Sequence, residues 1–292
     1  MPGEPDTRPP AGQADLDAAV DALAGRRVAV LTGAGFSTDS GLPDYRGPDA
    51  RPRNPMTYDQ FVSSADFRRH YWARNHLGWH HMHATEPNDG HFALARLERT
   101  GVVTGVITQN VDRLHQRAGS RHVVDLHGHY QLVRCLSCGW TCSRGELDAR
   151  LQELNPGFLE SVHELGDIEV APDADVVLAA TAGFRVADCP SCGGILKPDI
   201  VFFGESVPPA RVRAGFELVE GAGALLVAGT SLAVMSGLRF VRHAARLGLP
   251  IVLVNRGLTR GDDLATVRLN AGTTPVLTYL ERRLPLAIES QP

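Results

Sequence analysis

The sequence has almost no lysine and no large excess of either charge. Lys197 is the only lysine, so nearly all of the positive charge comes from arginine, and the formal net charge is -4. Such a balance excludes a global basic field that would draw the chain to nucleic acid or to an anionic membrane. We therefore expect neither nucleic acid nor a membrane as a partner.

Long hydrophobic runs are also absent. No apolar stretch approaches the length of a membrane span, and the proline-rich first residues lack the hydrophobic segment of a signal peptide. We expect a disordered tail over residues 1–13, a single large domain over 14–292 and a cytoplasmic location. The 43% hydrophobic content is sufficient for an ordinary core.

Cysteines are few, and four of the five form two Cys-x-x-Cys pairs: Cys135, Cys138, Cys189 and Cys192. This spacing lets both thiolates of a pair reach one ion, and four thiolates satisfy tetrahedral Zn²⁺ with no position left for water. The pattern predicts one structural zinc per chain. Two disulfides or buried free thiols are the alternatives. Cys142 is either a spare ligand or a small buried thiol, and we favour the thiol.

Short apolar runs alternate with helical patterns along much of the remaining chain. The runs lie at 27–31, 102–107, 123–126, 199–203, 224–228 and 251–255, and helical patterns include 211–219 and 238–247. This alternation predicts an α/β fold with a Rossmann-like, doubly wound parallel sheet. The sheet is expected from 14–47, 101–129 and 199–292. A smaller lobe is expected from a helical insertion, 48–100, and the zinc module, 130–198.

The glycine-rich segment 33–47 follows the first predicted strand. Its backbone amides could approach a pyrophosphate closely. It departs from the usual dinucleotide fingerprint, because Thr38 stands where a third glycine is expected and no acid closes the next strand. An ordinary turn is the alternative. However, Ser37, Asp44 and Arg46 supply more polar groups than a turn requires.

Polar residues also follow the next two predicted strands. Gln109, Asn110 and Asp112 come after one strand and His127 after the other. Both strands should end at the same edge of the sheet, which places the histidine where it could act as a general base near neutral pH. The alternative is a histidine that only makes hydrogen bonds in the core.

Several motifs together resemble the sirtuin family of NAD-dependent protein lysine deacylases. They are, in order, GAGFSTDSGLPDYRG, TQNVDRLH, LHG, the paired Cys-x-x-Cys knuckles, KPDIVFFGE, GTS and VNRG. The resemblance covers residues 14–280. It is strongest to class II sirtuins, through DYR, YWARNHLGW and TRGDDLATVRLN, and the composition suggests a bacterial source.

The resemblance implies a role for each matching residue. His127 would be the base, with Asn110 and Asp112 as its catalytic partners, and the four paired cysteines would hold zinc. The cosubstrate NAD would be bound by Gly33, Ala34, Gly35, Phe36, Asp44, Tyr45, Arg46, Gln109, Asn110, Asp112, Gly229, Thr230, Ser231, Asn255, Arg256, Gly257 and Thr273. Segments 203–205 and 232–234 would flank an extended acyl-lysine peptide.

Three other functions remain open at this point. A protein mono-ADP-ribosyltransferase would need the same NAD pocket. A silent NAD or ADP-ribose sensor would not need Asn110, Asp112 and His127 together. A zinc-ribbon module that binds nucleic acid is disfavoured by the near-neutral charge. The leading prediction is an NAD-dependent deacylase that transfers the acyl group to ADP-ribose and releases nicotinamide.

The stretch from 71 to 91 leaves two further questions. It contains His76, His80, His81, His83 and His91, which invite a metal site, although we see no carboxylate or cysteine placed to complete one. The same stretch supplies aromatic and apolar residues that form either part of an acyl pocket or simply core: Tyr71, Trp72, Leu77 and Trp79. Tyr71 and Arg74 resemble the pair that binds acidic acyl chains, but in a different register.

Overall fold

A computed structural model describes residues 8–46, 55–163 and 181–284. The strands in these residues are β1 (Val28–Thr32), β2 (Val103–Thr108), β3 (Val123–Asp125), β4 (Gly128–Cys135), β5 (Thr141–Ser143), β6 (Leu196–Ile200), β7 (Ala224–Ala228), β8 (Ile251–Val254) and β9 (Val267–Leu269). The helices are α1 (Gln13–Leu23), α2 (Tyr58–Ser63), α3 (Ala65–Ala84), α4 (Asp89–Arg99), α5 (Leu114–Arg117), α6 (Arg144–Leu154), α7 (Phe158–His163), α8 (Pro209–Glu220), α9 (Met235–Arg246) and α10 (Thr273–Arg283).

The chain divides into two compact units. Of the described residues, the first contains 8–46, 86–126 and 207–284, and the second contains 55–85, 127–163 and 181–206. Two segments belong to a different unit from the one that the sequence predicted. Helix α4, expected in the helical insertion, belongs to the first unit, and residues 199–206, expected with the parallel sheet, belong to the second.

The first unit is built on a six-stranded sheet with the order β3-β2-β1-β7-β8-β9, in which every neighbouring pair is parallel. Successive side chains of β1 enter two different hydrophobic clusters. Val28 and Val30 pack with residues of α1, α4 and α10, whereas Ala29 and Leu31 pack with residues of α8 and α9. Both faces of the sheet are therefore covered by helices, which confirms the predicted doubly wound fold.

Hydrogen bonds to the first unit begin before the predicted boundary at residue 14. The backbone N–H of Ala11 donates a hydrogen bond to the Asn270 carbonyl, at 3.1 Å, and the Asn270 side chain donates to the Arg8 carbonyl. Helix α1 begins at Gln13. Residues 8–13 are thus docked on the first unit, while residues 1–7 of the predicted tail lie outside the described residues.

The second unit contains a three-stranded antiparallel sheet with the order β5-β4-β6. Strand β6 includes Asp199 and Ile200, so the prediction that 199–203 supplies a strand of the parallel sheet is wrong. A short apolar run looks the same in either kind of sheet, and only its partner strand decides between them. Within the described residues, no helix is both long and apolar enough to cross a membrane.

Candidate active site and metal centre

Two glycine turns pack backbone against backbone where β1 and β7 end. The N–H of Gly35 donates to the Gly229 carbonyl at 2.9 Å. A Cβ on Gly229, whose φ is +67°, would lie 2.3 Å from the backbone N of Phe36, and one on Gly33 would lie 2.6 Å from the Cβ of Thr230. Only glycine fits this close approach, and we call the two packed turns at Gly33–Gly35 and Gly229 the glycine cradle.

Ser37 joins two of the predicted catalytic residues. The Asn110 side-chain amide donates to Ser37 Oγ at 3.1 Å, and that hydroxyl donates to Asp112 Oδ2 at 2.8 Å. The other Asp112 oxygen accepts from the Leu114 N–H at 2.9 Å. Burial raises the pKa of Asp112, although the hydrogen bonds from Leu114 and Ser37 act in the opposite direction. The amide and the carboxyl group are therefore held in one fixed arrangement.

A buried polar layer lies beneath this arrangement. Thr32 Oγ1 donates to Thr108 Oγ1 at 2.9 Å and lies 2.9 Å from His115 Nε2, while Thr108 Oγ1 accepts from the Asn110 N–H at 3.1 Å. Burial lowers the pKa of His115 to about 3, so its ring is neutral. We did not predict these three residues. The sequence does show a threonine at the end of each of two buried strands, which could have indicated that the two are neighbours. In the structure, Thr32 and Thr108 pair in register.

Further hydrogen bonds tie several of the other predicted NAD residues of the first unit together. Gln109 Nε2 donates to Thr230 Oγ1 at 2.9 Å, and the Gly229 N–H donates to the Val254 carbonyl at 2.9 Å. The Asn255 side-chain amide donates to the carbonyls of Arg256 and Gly257, at 2.7 and 3.1 Å. The segments around 33–37, 109–112, 229–231 and 255–257 thus meet at the carboxyl ends of the strands, where doubly wound sheets bind ligands.

Three more predicted NAD residues lie in the loop after β1, and one lies on α10. The Arg46 N–H donates to Asp44 Oδ1 at 3.2 Å, which closes a local turn around Tyr45. The last residue of the motif, Gly47, lies outside the described residues. Thr273 is buried at the start of α10, and its hydroxyl donates to the Gly35 carbonyl at 3.5 Å.

His127 belongs to the second unit and is held through its main chain. It stands between β3 and β4, and its carbonyl accepts from the Val201 N–H at 2.7 Å. The next residue, Gly128, pairs with Ile200 in the antiparallel sheet. The imidazole is half-buried. The backbone around His127 is therefore fixed by β6 and by Val201, which follows it. The sequence had placed this segment in the other sheet.

The predicted peptide segment 203–205 is also fixed within the second unit. The Tyr58 N–H donates to the Phe203 carbonyl at 2.9 Å. Glu205 Oε2 accepts from the Phe202 N–H at 2.8 Å and lies 3.0 Å from the ammonium of Lys197. The single lysine of the chain is thus buried as an internal ion pair. The other predicted segment, 232–234, lies in the first unit, where Leu232 has a φ of +55°.

The four paired cysteines lie together in the second unit. The Sγ atoms of Cys135 and Cys192 are 3.5 Å apart, those of Cys138 and Cys189 are 3.7 Å apart, and all four lie within 4.8 Å of one another. Tetrahedral zinc with Zn–S bonds of about 2.3 Å places its sulfur ligands about 3.8 Å apart. The cluster therefore fits one structural Zn²⁺, and the thiols are not joined as disulfides.

Glycines shape the turns that carry these thiols. Gly139 and Gly193 each follow a Cys-x-x-Cys pair with positive φ, at 75° and 71°. A Cβ on Gly194 would lie 2.6 Å from Ser137 Oγ and 3.0 Å from Cys135 Sγ. The fifth cysteine, Cys142, is buried on β5 and stands outside the group, as expected of a small buried thiol.

The aromatic residues considered for an acyl pocket are packed in the second unit. Trp72 and Trp79 are buried and lie against the guanidinium of Arg144, which is 5.7 and 5.1 Å from their ring centres. The Tyr71 hydroxyl is 3.1 Å from that of Tyr130, whereas Arg74 Nη1 is 2.9 Å from His70 Nε2. These contacts favour a core role, and an acyl pocket stays a prediction.

Comparison with known proteins decides the family. The Sir2 family model matches residues 33–236. This chain belongs to the Sir2 family. The match includes the two glycine turns, the Asn110–Asp112 segment, His127 and all four paired cysteines. The resemblance to class II in particular stays a prediction.

Two bacterial relatives of this Sir2-family chain are similar over nearly their whole length. "NAD-dependent protein deacetylase 1" of Mycobacterium avium (strain 104) is 60% identical over 94% of this chain and 97% of the relative. A protein of the same name from Streptomyces coelicolor is 51% identical, over 96% and 93%. The chain therefore spans the same domain as these relatives.

Solved Sir2 structures share the fold. One, from work on the mechanism and regulation of Sir2 enzymes, has a TM-score of 0.73 and 29% identity and covers 93% of this chain and 98% of that one. Another, of Sir2 with a p53 peptide and NAD⁺, has a TM-score of 0.69 and 32% identity, with coverage of 90% and 95%. These likenesses agree with the observed parallel sheet.

We predict that Ser37→Ala weakens NAD binding about tenfold. The change removes the bridge that fixes Asn110 and Asp112, so NAD must order these side chains when it binds, at a cost of about 0.5–1.5 kcal/mol for each. Calorimetry with NAD measures the effect. Ser40→Ala is the matched control, because the buried Ser40 hydroxyl has no hydrogen-bond partner among the described residues. Equal NAD affinity in the two variants would contradict the role of Ser37.

Proposed function

We propose that this Sir2-family chain is an NAD-dependent protein lysine deacylase. It transfers the acyl group of an acyl-lysine in a protein or peptide to ADP-ribose and releases nicotinamide. The observation that carries the proposal is the Ser37 bridge between Asn110 and Asp112, set beside the glycine cradle of a Sir2 fold. Relatives that are 51–60% identical are named NAD-dependent protein deacetylases, which supports the same reaction here.

The residues of the first unit would hold NAD. Because Gly33, Gly35 and Gly229 carry no side chains, the phosphates of NAD could approach the backbone of these two turns closely. Asn110 and Asp112 offer an amide and a carboxyl group to the nicotinamide ribose and the carboxamide. When bound, NAD supplies an electrophilic ribose carbon for the acyl oxygen of the substrate. Because the amide and the carboxyl group are already fixed, little ordering is needed when NAD binds.

His127 would then act as the general base. One nitrogen of its imidazole ring would accept a proton from a ribose hydroxyl. The hydrogen bond from Val201 to the His127 carbonyl fixes the main chain that carries the ring. Asn110 and Asp112 complete the catalytic group by holding the nucleotide, and they do not take that proton.

The four thiols would hold one structural Zn²⁺. A set of four thiolates leaves no position open for water or substrate, so the ion has no part in the chemistry. The reduced thiols also suit a cytoplasmic enzyme, since disulfides are rare in that compartment. We propose that residues 14–292 work as one catalytic domain, with acylated proteins or peptides as partners.

Mass spectrometry of a peptide panel tests this function against ADP-ribosylation, which needs the same NAD residues. Acetyl-, butyryl- and octanoyl-lysine peptides are incubated with the enzyme, with and without NAD. The proposal predicts that the peptides lose the acyl mass only when NAD is present. A peptide that keeps its acyl group and gains an ADP-ribose would favour the transferase. If the peptides neither lost the acyl group nor gained an ADP-ribose, the chain would be a silent NAD-binding protein.

A further inference from the structure

A second group of metal-ligating side chains lies in the second unit, apart from the four thiols. His76 and His80 stand one turn apart on α3, and Asp148 lies on α6. His76 Nδ1 is 2.8 Å from Asp148 Oδ1, and His80 Nε2 is 3.4 Å from Asp148 Oδ2. One ligand atom from each residue lies within 4.8 Å of the others. The expectation that no carboxylate completes the histidine set is therefore wrong.

The state of His76 points to a ligand. Its side chain is completely buried, and its ring lies near the rings of Phe158 and Phe184. Nδ1 is paired with Asp148 Oδ1 at 2.8 Å, whereas Nε2 has no hydrogen-bond partner among the described residues. A buried imidazole paired with a carboxylate can give up the proton on that nitrogen to a divalent ion, and the carboxylate can bind the same ion.

Neighbouring residues hold the carboxylate as the outer shell of a metal site does. Gln152 Nε2 donates to Asp148 Oδ2 at 2.9 Å, and the buried Arg144 Nη1 donates to Oδ1 at 3.4 Å. Hydrogen bonds of this kind orient ligating carboxylates. The positive charge of Arg144 already offsets part of the negative charge of the Asp148 carboxylate. An ion here should therefore bind more weakly than at the four thiolates.

We propose that His76, His80 and Asp148 bind a divalent transition-metal ion, of which Zn²⁺ is the type best suited to two imidazoles and a carboxylate. The His80 side chain is 47% exposed, so the ion can enter from solvent and keep water in its remaining position. The ion would link α3 to α6 within the second unit. This site is independent of the proposed deacylase function.

Zinc titration of the full chain, purified without a polyhistidine tag and stripped of weakly held metal, tests the site. We expect two equivalents of Zn²⁺ in the native protein and one in His80→Ala. His81→Ala is the matched control, because His81 is an exposed neighbour on the same helix and stands outside the group. It should retain two equivalents. A single equivalent in the native protein, or equal loss in both variants, would overturn the proposal.

Two further variants keep the test independent of folding. Gln152→Ala should weaken the second equivalent about tenfold, as outer-shell changes do, without removing it. Asp148→Asn should abolish it, and far-ultraviolet circular dichroism checks the fold. Co²⁺ added to protein that carries one equivalent of Zn²⁺, in the thiol site, should show an absorption spectrum without the sulfur-to-metal charge-transfer band. A thiolate band, or a full second equivalent in a folded Asp148→Asn, would overturn the assignment.

Discussion

His127→Ala is expected to lower kcat/KM for an acyl-lysine peptide by about 10²- to 10⁴-fold, the usual contribution of a positioned general base. NAD binding should change by less than about threefold, or roughly 0.7 kcal/mol, because the proposed NAD contacts lie on other residues. Calorimetry should therefore show near-native NAD affinity in a preparation of this variant whose turnover is largely lost.

An exposed histidine provides the control for this experiment. The side chain of His122 is 73% exposed and pairs with Glu98 on the surface. His122→Ala should leave turnover unchanged. If His127→Ala retained near-native turnover, or if both variants lost activity alike, His127 would not be the base.

The second large effect is expected from Cys135→Ser. The change removes one of four thiolates, and structural zinc contributes about 10–16 kcal/mol of apparent binding free energy in small zinc modules. We expect the loss of one equivalent of zinc and a fall in Tm of at least about 10 °C, since about 3 kcal/mol already shifts Tm by about 6–12 °C in a domain of this size. Elemental analysis and a thermal melt measure both quantities.

Cys142→Ser makes the same chemical change at a cysteine outside the four-cysteine cluster. Because Cys142 is buried on β5 and is not a member of the cluster, this variant should retain its zinc and lose only a few degrees of Tm. Full zinc and full stability in Cys135→Ser would show that the ion is held by other ligands.

The core of the parallel sheet could be predicted because its strands are short, continuous apolar runs. Strands β1, β2, β7 and β8 lie within about one residue of their predicted positions, as expected for strands buried on both faces. Strand β9 was not foreseen, because Arg268 interrupts a very short, partly exposed edge strand. The strand at 196–200 was assigned to the wrong sheet, since its partner β4 is distant in sequence.

The residues of the candidate site could be predicted from motifs. The contacts between those motifs could not be predicted. The sequence places Asn110 and Asp112 after one strand, but it does not show that Ser37 bridges them. The layer formed by Thr32, Thr108 and His115 depends on the register of two parallel strands and on a helix that follows. Asp148 was not connected to His76 because the two helices that carry them are far apart along the chain.

The most direct test of the deacylase assignment is the ratio of products formed from one acetyl-lysine peptide, with and without NAD. We predict nicotinamide, deacetylated peptide and O-acetyl-ADP-ribose in equal amounts, and no reaction when NAD is omitted. Release of free acetate while NAD remains intact would contradict it.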